Sequence, residues 1–212
     1  MHEVEPESPV RDMIRRGLNL LLHPAETWDA IEAEPDTIER LFKYWVAPLA
    51  AIPVVGRMLG ALSFWSFSSF QIFGVRFYHP NVIAVLGDAV ARYALTLISV
   101  YLLALLVDQF AIQFGGERNR TQAFKLVAYS GTAAWVAGVF MLLPTAGGVF
   151  ALLGGLYSFY LLYLGLPKLM KSAPTFTLNY FALTLVCAIV MWVVIGAVTS
   201  HAGDFGGPIH IY

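Results

Sequence analysis

An all-α, polytopic integral membrane protein with five transmembrane helices is the fold class this sequence predicts, on three observations. Of the 212 residues, 58% are hydrophobic and only 13% charged, with a mean hydropathy of +0.67. That is more apolar surface than one soluble core can hide. No Asp, Glu, Lys or Arg occurs at residues 126–167 or at residues 172–203, and each stretch exceeds the roughly 20 residues a helix needs to cross a bilayer. These stretches are apolar on every face. A transmembrane barrel would alternate apolar and polar residues, so the backbone has to be satisfied within each helix.

The elements follow in order, beginning with an N-terminal segment, residues 1–44. Residues 1–8 are acidic and proline-bearing, the composition of a disordered end. From Pro9 to Leu22, the residues Val10, Ile14, Leu18, Leu21 and Leu22 recur at helical spacing beside Arg11, Arg15 and Arg16, a pattern that reads as an amphipathic helix lying on the membrane. His23-Pro24 ends it, because the residue before proline is pushed out of the helical region while proline suits the first turn of the next helix. Glu26, Trp28, Asp29 and Ile31 form that second short helix. Asp36 with Glu39 fits a capping box for a helix that leads into the first span. A 44-residue segment cannot bury its own core, so it leans on lipid or on the spans.

The membrane domain, residues 45–199, divides into spans at 45–66, 86–109, 123–143, 147–166 and 179–199. A single helix over residues 126–167 would be about 60 Å long, twice the hydrocarbon thickness, so the chain must turn at 144–148. The loop at 64–78 is dense in aromatics, as expected at a membrane–water interface. Residues 200–212 form a short tail. Ten of the 13 basic residues lie before the first span, in or flanking the loop between the second and third (Arg118, Arg120 and Lys125), or between the fourth and fifth. This asymmetry sets the N-terminus inside and the tail outside. Because the first apolar run stands behind 44 residues rich in acids, it is expected to be a retained span and not a cleavable signal.

Several function classes are excluded at this point. A net charge of −1 gives no basic surface for nucleic acid. The single cysteine, Cys187, rules out an intrachain disulfide and a cysteine-pair metal site. No HExxH, GxSxG, phosphate-binding loop or Cys-x-x-Cys is present, and neither catalytic, metal nor cofactor-binding residues are expected. His201, Asp204 and His210 lack ligand spacing around a Gly-Gly-Pro segment.

Three stretches together resemble the Yip (Ypt-interacting protein) family of small multi-span membrane proteins. They are LLLHPAETWDAIEAEP at 20–35, FGGERNRTQAFKLVAYS at 114–130, and LLPTAGGVFALLGGLYSFYLLYLGLPKLMK at 142–171. Such proteins often place a proline after the tyrosine and serine that open the third span, where this chain has Gly131-Thr132-Ala133. The resemblance, which is to short bacterial members, implies five spans, a cytoplasmic N-terminus, a periplasmic C-terminus, an inner-membrane location and no catalytic motif. Eukaryotic relatives act in vesicle trafficking and bind small GTPases; for bacterial members the resemblance assigns no biochemical role.

Ionisable residues at membrane depth are costly and are candidate functional groups by default. Asp88 and Arg92 stand four apart on the second span, acid first, the favourable order for a helical pair. Arg57 lies about 18 Å along the first span, at or past the midplane. Asp88 is expected to bridge Arg57 and Arg92. Arg11, Arg15, Arg16 and Trp28 are the candidate interfacial contacts. Gly56 and Gly60, and Ser130, Ala134 and Gly138, are spaced for close helix packing, and Tyr157, Tyr160 and Tyr163 are expected to be structural. The leading reading is a non-enzymatic protein acting through a membrane-protein partner, a second copy of itself, or organisation of the lipid bilayer. A small transporter using Arg57, Asp88 and Arg92 and an accessory subunit of a larger complex are the alternatives.

Overall fold

The computed structural model describes residues 9–67, 82–143 and 146–204. Most of the aromatic loop, part of the turn at 144–148 and the tail histidines lie outside the described residues or side chains. Every regular element among the described residues is helical, and five are long and apolar enough to cross a membrane: Ile38–Leu62, Val82–Phe114, Arg120–Leu142, Gly147–Met170 and Thr177–Ser200.

Helix α1 (Pro9–Leu22) is the amphipathic helix of the sequence reading, and α2 (Pro24–Ala33) starts on Pro24 with His23 at its N-cap. The next cap differs from expectation. Thr37, extended at φ −117° and ψ 148°, accepts from the Arg40 N–H, while the Asp36 carboxylate accepts from the Thr37 N–H at 2.8 Å. The acid therefore supports the capping residue instead of being it. From Thr37 the chain is helical without a break through α3 (Ile38–Leu41), a π turn (Phe42–Val46) and α4 (Ala47–Phe67). The boundary drawn at residue 44 falls inside this helix.

Helix α5 (Val82–Phe110) tightens into a 3-10 turn at Ala111–Phe114. The third span is built in pieces: α6 (Arg120–Ser130), a break at Gly131, α7 (Thr132–Ala137) and a 3-10 turn, Gly138–Leu142. The interruption occurs at Gly131-Thr132-Ala133, where the resemblance led to the expectation of a proline. The fourth span, α8 (Gly147–Met170), does not end at residue 166 as expected. It runs through Pro167 and stops where Lys171 turns left-handed at φ 51°. Helix α9 (Thr177–Asp204) is the last span.

The core sits towards the N-terminal end of the bundle, where Trp28, Phe124, Leu161, Leu166 and Tyr180 are at most 1% exposed. All eight residues of α6 from Ala123 to Ser130 are buried, because α3, α5 and α8 pack around that helix. By contrast α9 exposes Leu178, Val186, Val190, Trp192 and Val194, the surface of a helix that meets lipid.

Candidate functional site

A helix ends with carbonyl groups that lack intrahelical partners, and near membrane depth water does not supply them. In α1 and α2 these carbonyls are satisfied by side chains of the spans. The Tyr157 hydroxyl of α8 donates to the Leu21 carbonyl at 2.7 Å. The Lys125 ammonium of α6 donates to the Ile31 carbonyl at 2.8 Å and the Glu34 carbonyl at 2.5 Å. Gln122, one turn earlier, donates to the Glu32 carbonyl at 3.1 Å. Lys125 is only 2% exposed, and its charge sits at the C-terminal, partially negative end of the α2 dipole. At the other end of α2, Lys168 donates to the Ala25 carbonyl and pairs with Asp29.

The same junction holds Arg16 and Trp28. Arg16 pairs with Glu34 at 2.5 Å, donates to the Tyr129 hydroxyl at 3.2 Å and lies over that ring. Burial disfavours its charge, but Glu34 and Tyr129 more than offset this, so its pKa is raised above the ordinary arginine value. Trp28 has no exposed surface. Its indole lies against Gly165, where an added Cβ would stand 2.7 Å from the ring, and meets the Tyr129 ring edge-on. The sequence grouped Trp28 with the interfacial arginines, yet its apolar ring fills the gap between α2, α6 and α8. Of that group, Arg11 and Arg15 are exposed. Trp45, tilted against Tyr129 with ring centroids 4.6 Å apart, donates to the Thr132 hydroxyl at 3.2 Å, just past the Gly131 break.

Between α1, α2 and the start of the first span lies a crevice of about 1200 Å³. Its lining includes Arg15, Arg16, His23 and Arg40 together with Asp12, Glu26, Glu34 and Asp36, and the rings of Trp45 and Tyr129. Among the described residues no group of three or more His, Cys, Asp or Glu is placed to hold a metal ion.

The intramembrane charges lie elsewhere. Asp88 and Arg92 pair on α5, the Arg92 Nε reaching both carboxylate oxygens at 2.8 and 2.9 Å. Arg57 is exposed on α4, which packs against α5, but among the described residues it makes no ion pair within 4 Å of its own. Asp88 is thus paired with one arginine and does not bridge two. A second acid, Asp108, is 3% exposed and pairs with Arg118 at 3.4 Å.

The small residues divide between two neighbours. A Cβ on Gly56 would stand 2.7 Å from the Gly138 carbonyl, and one on Gly60 2.7 Å from that of Met141. Gly138 itself abuts Pro53. Ala134 faces the fourth span instead, its N–H donating to the Ser158 hydroxyl at 2.9 Å, while the buried Ser130 hydroxyl has no partner among the described residues.

Lys125, treated in the sequence as a basic residue flanking a loop, is the anchor of the junction. Gln122, Lys125 and Tyr129 form a polar stripe along an otherwise apolar helix, and that spacing is the signal that could have identified it.

A five-span helical bundle carrying two N-terminal helices capped by its own spans defines a polytopic integral membrane protein whose soluble-looking segment is part of the membrane fold. The Yip1 domain model matches residues 18–196, and the chain belongs to that family. Among curated proteins it is similar to the inner membrane protein YohC of Escherichia coli K12, 25% identical over 191 residues that cover 88% of this chain and 95% of YohC. The protein of the same name in E. coli O6:H1 matches equally. No solved structure matches significantly.

Proposed function

We propose that the chain is a non-enzymatic protein of the bacterial inner membrane that holds a protein partner in the crevice of its docked N-terminal helices. The observation that carries this reading is the crevice itself. Its lining bears both signs of charge beside Trp45 and Tyr129, which suits a charged polypeptide segment better than the small molecules that mostly apolar pockets enclose. The name of the E. coli relatives supports the inner-membrane location. The basic residues concentrated towards the N-terminal end support a cytoplasmic N-terminus and a periplasmic C-terminus. A partner held permanently would make the chain an accessory subunit of a larger complex.

The transporter reading has less support, because Arg57 is exposed and both carboxylate oxygens of Asp88 are already engaged by Arg92. Full-length protein in liposomes is expected to show no saturable flux; flux abolished by Asp88→Asn with the fold intact would reverse this reading. The direct test is a photoreactive residue at the crevice positions Asn19, Glu26 and Ala30, with Val190 on α9 as the control, in native membranes. One recurring protein adduct from the crevice alone is expected, and an adduct with a second copy would identify the partner as the chain itself. Adducts to lipid only would remove the proposal.

A further inference from the structure

We propose that Arg57, Arg92 and Asp88 form a binding site for the phosphodiester of an anionic phospholipid, in the leaflet at the end of the bundle away from α1 and α2. This is independent of the partner reading.

Depth comes first. Gly60 is seated against the Met141 carbonyl and the Leu142 backbone, immediately before the chain turns into α8. Arg57 is three residues, about 4.5 Å of helix, below that level. Its long side chain therefore reaches the headgroup region by snorkelling. The midplane position expected from counting along the first span is corrected by this packing. The difference arises because the helical span begins at Ile38, seven residues before the expected start.

Charge comes second. Asp88 is the single Asp or Glu in residues 40–107, so neither α4 nor the connection at 68–81 can bring a second carboxylate. Both oxygens of Asp88 are already engaged by Arg92. Among the described side chains of the packed helices α4 and α5, two guanidiniums stand against one carboxylate, an excess of one positive charge, and an uncompensated cation in this environment is expensive.

Surroundings come third. Arg57 is exposed on α4 beside Val55 and Leu59 in the chain, and on α5 the residues Leu86 and Val90, which bracket Asp88, are exposed as well. A cation on such an apolar, outward surface meets lipid. A guanidinium binds a phosphate through two parallel hydrogen bonds, the geometry that distinguishes arginine from lysine. A headgroup with one net negative charge, such as phosphatidylglycerol, neutralises the locus, whereas a zwitterionic headgroup does not.

The test uses full-length protein in phosphatidylcholine vesicles and electron paramagnetic resonance of spin-labelled lipids. It reads the preference of the protein surface for phosphatidylglycerol over phosphatidylcholine. Arg57→Gln is expected to lower that preference about fivefold, the effect of one basic residue at a charged lipid surface, and Arg57→Lys to lower it less. Asp88→Asn, which adds one net positive charge, is expected to raise it, so the proposal remains testable if the Arg57 variants fold poorly. An unchanged preference in Arg57→Gln, or an unchanged or lowered one in Asp88→Asn, overturns it. Inorganic phosphate in the buffer is expected not to compete; loss of the preference on adding it would identify a free-anion site and reject the lipid.

Discussion

Two tryptophans with opposite environments show how much the identity of a residue leaves open. Trp28 is fully buried although it stands between Thr27 and Asp29, and Trp192 is 75% exposed although it stands between Met191 and Val193. Trp28→Ala is expected to cost about 3–5 kcal/mol of stability, the usual loss for a buried aromatic. Trp192→Ala should leave thermal stability in detergent nearly unchanged, and equal losses would show that the N-terminal helices are not docked as described. Glycines divide in the same way. Gly138→Ala drives a methyl group into Pro53 and is expected to destabilise by about 1–3 kcal/mol, whereas Gly155→Ala, with nothing within 4 Å, should be neutral by the same thermal assay. At this scale the sequence identified the polar and small residues but not their partners. Arg16 meets Tyr129 and Glu34 across intervals of 113 and 18 residues in the chain, and no local pattern encodes such contacts.

Among the elements, α1, α2 and the five spans were legible because hydrophobic periodicity and proline position act locally. The limits of the spans were less so. The first span starts seven residues early because a cap at Thr37 and the docking of α3 on α6 override the charges of Glu39, Arg40 and Lys43. The fourth continues past Pro167, since the proline removes one hydrogen bond without forcing the helix to stop. The interruption at Gly131 was left open by the absence of proline, and glycine followed by Thr132 serves instead. The element most dependent on others is α2, whose last carbonyls rest on Lys125. Lys125→Met keeps the length but removes the donor, and a hydrogen bond to a charged group contributes about 1.5–3 kcal/mol. Hydrogen exchange in α2 is therefore expected to quicken in this variant while α9 is unchanged. Unaltered protection of α2 would mean that the caps contribute little.

At the scale of the whole molecule, the class was legible because bilayer thickness leaves few alternatives for so apolar a chain, while the candidate site was not. The sequence directed attention to Arg57, Asp88 and Arg92, whereas the built junction lies at the other end, around Lys125. The difference is physical: charges inside a span are conspicuous by their cost, but a polar junction assembled from four separate segments exists only after folding. The central claim is that α1 and α2 are part of the membrane fold, with α1 at the lipid boundary. Tyr157, which holds the end of α1, is 13 residues or about 20 Å of helix from the end of α8, so α1 lies well up the side of the bundle. Nitroxide labels at Ile14, Leu18 and Glu26, introduced after replacing Cys187, report this directly through their accessibility to oxygen and to a water-soluble nickel complex in liposomes. Labels at Ile14 and Leu18 are expected to be accessible to oxygen and shielded from nickel, and the label at Glu26 to be open to nickel; nickel access at all three positions, with the motion of a free chain, would contradict the account.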